Sequence, residues 1–310
     1  MRSAVARSAR WLMDLRTLLQ RGEPAVVCAL DQVKGSAPRA SGTAMVVSED
    51  QALGTIGGGA LEQLVIERAR AMLGEGLNAE RFTKPLGPEM DQCCGGHVGV
   101  LLRRMEPDAL AWMGLPSEDV LSVRLPVTET EQPSLSTRNP STSDDTSAMF
   151  LAIEELYQPV IVYGAGHVGR ALISALTPLP FELTWVDGRD HMFPVGLSEG
   201  VTTYATPLPE GVARTAPANA YHLILTHSHA LDLEIVAAVL ERAEFGFLGL
   251  IGSKTKRATF QSALAKRGLS EIAQDRLICP IGLDGITDKR PEVIAASVAA
   301  QLLMLEGRTV

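Results

Sequence analysis

Pro159 to Arg189, PVIVYGAGHVGRALISALTPLPFELTWVDGR, decides the fold. It opens with a short apolar run rich in β-branched residues, Pro159 to Tyr163. Gly164, Gly166 and Gly169 follow in G-x-G-x-x-G spacing. Val168 to Leu176 continues with helical periodicity, and a second β-rich run, Phe181 to Val186, ends on Asp187. Strand, tight turn, helix, strand and acid is the order that presents backbone N–H groups and a helix N-terminus to a pyrophosphate. A carboxylate about 20 residues on then meets a ribose hydroxyl. The spacing predicts a Rossmann-like doubly wound parallel sheet. Such a fold does not prove its ligand: cofactor, nucleotide or nothing are all open for this half, and Arg189 beside the acid keeps a 2′-phosphate conceivable.

The chain has 310 residues, so one large or two medium domains are expected. Hydrophobic content of 46% against 21% charged supports a sizeable core rather than disorder. A formal net charge of −8 argues against general nucleic-acid binding, which needs a positive field. Cys28, Cys93, Cys94 and Cys279 form no C-x-x-C pair and no zinc pattern. Free thiols in a reducing, cytoplasmic compartment are expected. The first residues, MRSAVARSARW, loosely resemble a transit peptide but fit better the start of a basic amphipathic helix. Val293 to Leu305 is too short to span a bilayer, and no membrane partner is expected.

In the N-terminal part, Trp11, Leu12, Leu15, Leu18 and Leu19 fall on one helical face that ends at Gly22 and Pro24. Ala25 to Leu30 reads as a strand and Lys34 to Gly42 as a polar loop carrying Lys34 and Arg39. Thr43 to Ser48 reads as a further strand. Gly54-Thr55-Ile56-Gly57-Gly58-Gly59 then feeds a helix from Ala60 to about Leu73. A glycine-rich turn at a helix N-terminus is an anion site by backbone geometry; tight packing or positive φ is the alternative reading. Glu62 in the first turn favours the helix dipole or aims a polar group at the site. Met90 to Gly99 places Cys93 and Cys94 beside Gly95-Gly96, which argues for close approach by another group.

Pro126 to Ser147 is rich in Thr, Ser, Pro, Glu and Asp and reads as a surface excursion or linker. The expected organisation is therefore a smaller N-terminal α/β domain over 1–125, a linker over 126–155 and the Rossmann-like domain over 156–310. In the latter, Tyr221 to Leu225 delivers Thr226-His227-Ser228-His229 at a strand's carboxyl end, where ligand-lining loops lie. His227, His229 and Asp232 could form a metal cluster; the alternative is that one histidine bonds backbone and Asp232 caps the next helix. Phe245 to Ile251 leads into Gly252-Ser253-Lys254-Thr255-Lys256-Arg257, where cations in a first helical turn oppose the dipole and so suit a phosphate. Cys279 beside Pro280 reads as packed.

Taken together these stretches resemble the xanthine dehydrogenase accessory protein family (XdhC/CoxI type). The resemblance rests on Gly35 to Arg39, Gly54 to Gly59 through Glu62, Cys94-Gly95-Gly96, Tyr163 to Gly169, Thr226-His227, Gly249 to Lys254 and Cys279 to Leu283. It covers both halves and leaves out the linker. Asp284-Gly285-Ile286-Thr287 departs from the family's usual Ile-Gly, and Ser228-His229 stand where an acid is more typical. The resemblance implies a non-enzymatic chaperone that binds the molybdenum cofactor in its molybdopterin form. Such a protein holds the cofactor while a cysteine desulfurase supplies the sulfido ligand, then helps insert it into apo xanthine dehydrogenase. A homodimer is expected. The residues expected to hold the cofactor are Lys34, Arg39, Gly57, Gly58, Gly59, Glu62, Cys93 and Cys94, with Gly164, Gly166, His167, Gly169, Asp187, His227, Ser253 and Lys254. Either neighbouring cysteine could offer a soft sulfur, and Cys93 is preferred as the molybdenum contact. The competing reading is an NAD(P)-dependent oxidoreductase with His227 as acid/base. A third is a scaffold that only docks sulfurase and apoenzyme.

Overall fold

The computed structural model describes residues 5–87, 95–113, 120–140, 146–197 and 200–306. The chain divides into two compact units: one is Ala6–Glu155, and Val5 groups with the other, which runs on from Leu156.

The first unit is built on an antiparallel sheet. Strand β1 (Val5–Ser8) opens the described chain where the start of a helix is expected and is not a member of this sheet; α1 (Arg10–Gln20) follows. Then come β2 (Ala25–Lys34), β3 (Ala44–Val47), β4 (Ala52–Gly54), α2 (Gly59–Glu75), β5 (Ala79–Pro85) and β6 (His97–Met105), with sheet order β4-β3-β2-β6-β5. Period 2 sends alternate side chains of β2 to opposite faces. Val26, Cys28 and Leu30 meet Leu61, Val65, Ala69 and Met72 of α2. Ala25, Val27 and Ala29 meet Leu15, Leu18 and Leu19 of α1. Both faces are covered, which is why AVVCAL reads as an unbroken apolar run.

A short helix α3 (Leu110–Met113) precedes a second sheet of β7 (Ser122–Pro126), β8 (Ser134–Ser136) and β9 (Ala148–Ala152), in the order β8-β7-β9. Here the structure corrects the expected linker. Val123, Leu125, Met149, Leu151 and Ile153 are buried in the same core as α1. Full burial of such a side chain contributes about 1.5–3 kcal/mol, so β7 and β9 are integral to this unit. The composition of Pro126 to Ser147 belongs to the connections within it.

The second unit alternates strand and helix: β10 (Glu154–Tyr163), α4 (His167–Leu176), β11 (Phe181–Asp187), β12 (Val201–Ala205), α5 (Pro209–Thr215), β13 (Tyr221–Ile224), α6 (His229–Arg242), β14 (Phe247–Leu250), α7 (Lys254–Lys266), α8 (Glu271–Asp275), β15 (Leu277–Ile278) and α9 (Pro291–Glu306). The parallel order is β12-β11-β10-β13-β14-β15. It reverses direction at β10, which is the doubly wound arrangement with its switch point between β10 and β13. Val160 and Val162 pack towards α4 and α9, while Ile161 and Tyr163 pack towards α5 and α6. Among the described residues, no helix is long and apolar enough to cross a membrane.

Candidate functional site

Three motifs separated in sequence meet in the first unit. Lys34, at the end of β2, pairs in register with His97 at the start of β6. This brings the loop from Lys34 to Gly42 against Gly95-Gly96: a Cβ on Gly96 would collide with the Ser36 carbonyl. Gly57 (φ +128°) lies under the same loop, and a Cβ there would stand 2.6 Å from Cγ of Pro38. Packing of loop on loop therefore accounts for Gly57 and Gly96. Gly58, with φ +74° and open space around it, is a glycine for its backbone alone. Lys34 and Arg39 are exposed. Cys93 and Cys94, the sulfur candidates, lie outside the described residues.

The glycine turn already holds an anion. Glu62 Oε2 accepts from the Thr55 hydroxyl at 2.5 Å and from the N–H groups of Ile56 and Gly58 at 3.0 Å each. Thr55 Oγ1 in turn accepts from Gly57 N–H at 3.1 Å. Burial alone would raise the Glu62 pKa, but the hydrogen bonds from Thr55, Gly58, Ile56 and Gly57 outweigh it and hold the carboxyl below its ordinary value. The donors expected for a bound anion are thus engaged from within. Gly59 is the first residue of α2.

In the second unit the fingerprint glycines have the roles their spacing predicts. A Cβ on Gly164 (φ +117°) would strike the Leu225 carbonyl, and one on Gly169 would strike the Gly164 carbonyl. Gly166 caps α4 with nothing within 4 Å of a Cβ, and His167 is exposed beside it. Asp187 departs from the expected ribose contact. Its Oδ2 accepts Ala165 N–H at 2.7 Å and Arg189 Nη2 at 3.0 Å; its Oδ1 accepts Arg189 N–H at 3.0 Å and Nε at 2.9 Å. Four donors fill the acceptor capacity of a carboxylate. Burial pushes the Asp187 pKa up, and the Arg189 and Ala165 hydrogen bonds more than reverse it. The crevice between the carboxyl ends of β10 and β13 is about 40 Å³, room for a water or two.

The turn after β13 repeats the device around Glu62. Asp232, fully buried, accepts at Oδ1 from Thr226 N–H at 3.0 Å and from the Thr226 hydroxyl at 2.7 Å. Thr226 Oγ1 accepts from Ser228 N–H at 3.2 Å. The other oxygen, Oδ2, takes the Lys256 ammonium at 2.7 Å. Asp232 is thus neither metal ligand nor cap: Ser228 caps α6 by accepting from Leu231 N–H. His227 and His229 are exposed, and no cluster of three metal-ligating side chains occurs among the described residues. Ser253 caps α7, its hydroxyl accepting from Lys256 N–H at 3.2 Å, and Lys254 is exposed. Sequence reasoning named Lys254; the lysine tied into the fold is Lys256, two residues on. The side chain of Cys279 is buried against Gly252 and Ser253, and burial raises its pKa against the pull of Lys256 and Arg257. Reasoning from sequence also missed His222, whose Nδ1 lies 3.1 Å from the Tyr163 hydroxyl; burial drives its pKa down to about 3. Strand alternation placed His222 inside the sheet and was the available signal.

Residues 160–302 match the profile of the XdhC Rossmann domain, and residues 18–83 match that of the XdhC and CoxI family. The chain belongs to the XdhC and CoxI family. Two relatives extend the likeness along the chain. The Escherichia coli protein YqeB is 23% identical over 92% of this chain, which spans 44% of that relative's length. A Bacillus subtilis protein, named as a probable component of xanthine dehydrogenase, is 24% identical over 95% of this chain and 97% of its own. A crystal structure of a xanthine dehydrogenase from Bacillus halodurans has the same fold, with a TM-score of 0.74 at 21% identity and 97% coverage of both chains. In this XdhC-family chain the matched segments hold the Arg39, Gly57 and Glu62 cluster in one unit and the Asp187 and Asp232 clusters in the other.

Proposed function

We propose that this protein is an accessory factor for a xanthine-dehydrogenase-type molybdenum enzyme. On this reading it binds the molybdenum cofactor, holds it while a cysteine desulfurase sulfurates it, and passes it to the apoenzyme in the cytoplasm. It performs no turnover of its own and works as a dimer. The observation that carries the reading is the meeting of the Lys34–Gly42 loop, the Gly54–Gly58 turn and Gly95-Gly96 at one end of the β2–β6 ladder. Gly95 and Gly96 follow directly on Cys93 and Cys94 in the chain.

The donor chemistry fits an anionic, thiol-seeking group with one revision. Because Glu62 occupies the N–H groups of Ile56 and Gly58, the phosphate would be neutralised by the exposed Lys34 and Arg39 rather than by the glycine turn. The cofactor would bring the metal chemistry; the chain would supply charge, shielding and, from Cys93 or Cys94, sulfur. The saturated Asp187 carboxylate weighs against the oxidoreductase reading, since a ribose diol would have to displace Arg189 or Ala165 N–H.

The test is anaerobic incubation of the full chain with released molybdenum cofactor, followed by mass spectrometry of what remains bound. The wild type is expected to retain it, and Lys34→Glu with Arg39→Glu to lose at least about tenfold in affinity with the fold intact. Failure of the wild type to retain cofactor, or hydride transfer with a nicotinamide cofactor, would overturn the reading.

A further inference from the structure

A cavity of about 430 Å³ lies between α6 and α7. Its floor is apolar, made by Leu233, Phe260 and Ala263, with the exposed Ala230 at its mouth. Its rim is polar, with His229, Ser253, Thr255, Thr259 and the Lys256 ammonium. The chain as a whole carries −8, yet Lys254, Lys256 and Arg257 crowd the first turn of α7, which contains no acid. That placement opposes the helix dipole, and of the three it is Lys256 that lines the cavity.

Lys256 is the decisive residue. An ammonium has three N–H donors. Two are engaged, by Asp232 Oδ2 at 2.7 Å and the Ile251 carbonyl at 2.9 Å. The ammonium stands 5.4 Å from the centroid of the Phe260 ring. It is held in place before any ligand arrives, which lowers the entropy lost on binding, and its side chain still borders the cavity.

We propose that this cavity binds a small planar aromatic anion, with its ring on the Leu233, Phe260 and Ala263 floor and its acidic group at Lys256 and His229. The volume lies within the range of ligand sites, about 300–1,000 Å³. A bare inorganic anion would leave the apolar floor wet, and a neutral ring without an acceptor would leave the third Lys256 N–H donor unused. The test needs no molybdenum cofactor, so its failure and the failure of the accessory reading are distinguishable.

The test is calorimetric titration of the full chain with naphthalene-2-sulfonate, alongside 2-naphthol and inorganic sulfate. One sulfonate per chain is expected, bound about tenfold or more tighter than 2-naphthol, with no heat from sulfate. Ala230→Trp and Thr259→Trp, both at exposed positions, put bulk into the mouth of the cavity. Each is expected to weaken the sulfonate about tenfold at unchanged melting temperature, and His229→Ala about threefold. Absence of binding, equal affinity for 2-naphthol, or unchanged affinity in both tryptophan variants would overturn the proposal.

Discussion

The turn at Thr55 and the turn at Thr226 solve the same problem in two unrelated folds. In each, a threonine hydroxyl donates to a carboxylate in the first turn of the following helix. In each, that carboxylate also takes loop N–H groups, and the threonine oxygen takes the N–H two residues on. Their surroundings differ. Asp232 is fully buried and is matched by the Lys256 ammonium. Glu62 is half-buried and is met by neutral donors. A carboxylate deep in a sheet–helix junction needs a cation because desolvation is severe there. At the edge of an antiparallel sheet the same carboxylate needs only dipoles. Local sequence sets the turn; burial sets whether a charge partner must accompany it.

Breaking the buried member should have the largest effect. Asp232→Ala strands the Lys256 ammonium and is expected to destabilise the second unit by about 3–5 kcal/mol, read from urea unfolding by circular dichroism. Asp232→Leu with Lys256→Met removes both charges and should recover most of that loss; equal instability of single and double variants would mean the pair is not the cause. The glycines of the Thr55 turn come next. Gly57→Ala meets both an unfavourable φ and the Pro38 ring and is expected to lose about 3 kcal/mol, against about 1.5 kcal/mol for Gly58→Ala, which meets open space. Similar losses at the two positions would refute the loop-on-loop contact.

The smallest effect belongs to Glu62. Glu62→Gln is expected to lose about 1 kcal/mol at neutral pH, since solvent screens a half-exposed group. Its folded pKa lies below its ordinary value. The stabilisation is therefore complete above the unfolded pKa and is lost as pH falls through the depressed folded value. Melting temperatures measured from about pH 6 downwards should converge for wild type and Glu62→Gln on the acid side. Parallel curves would remove Glu62 from the turn.

Much of the second unit was legible because its signals are local. Gly164 and Gly169 are required by backbone contacts around one strand–turn–helix segment, so their spacing carries the structure. The destination of the Asp187 carboxylate was not legible: the same position serves a ribose or an internal arginine, and only the side chain of Arg189 folding back decides between them. The expected linker, 126–155, misled for a related reason. Short strands with polar connections have the composition of a linker, and their apolar residues show their purpose only against α1.

The sequence by itself determined the doubly wound sheet and the helix that follows the first glycine turn, since these follow from periodicity and from glycines at fixed spacing. Tertiary structure alone decided where the charges go. Glu62 fills the turn expected to hold a ligand, Asp187 turns inward, and Lys256 rather than Lys254 is the lysine bound to the core. The reason is physical: hydrogen bonds between residues four to twenty-four positions apart depend on which loops the packing brings within 3 Å, and no one-dimensional pattern records that distance.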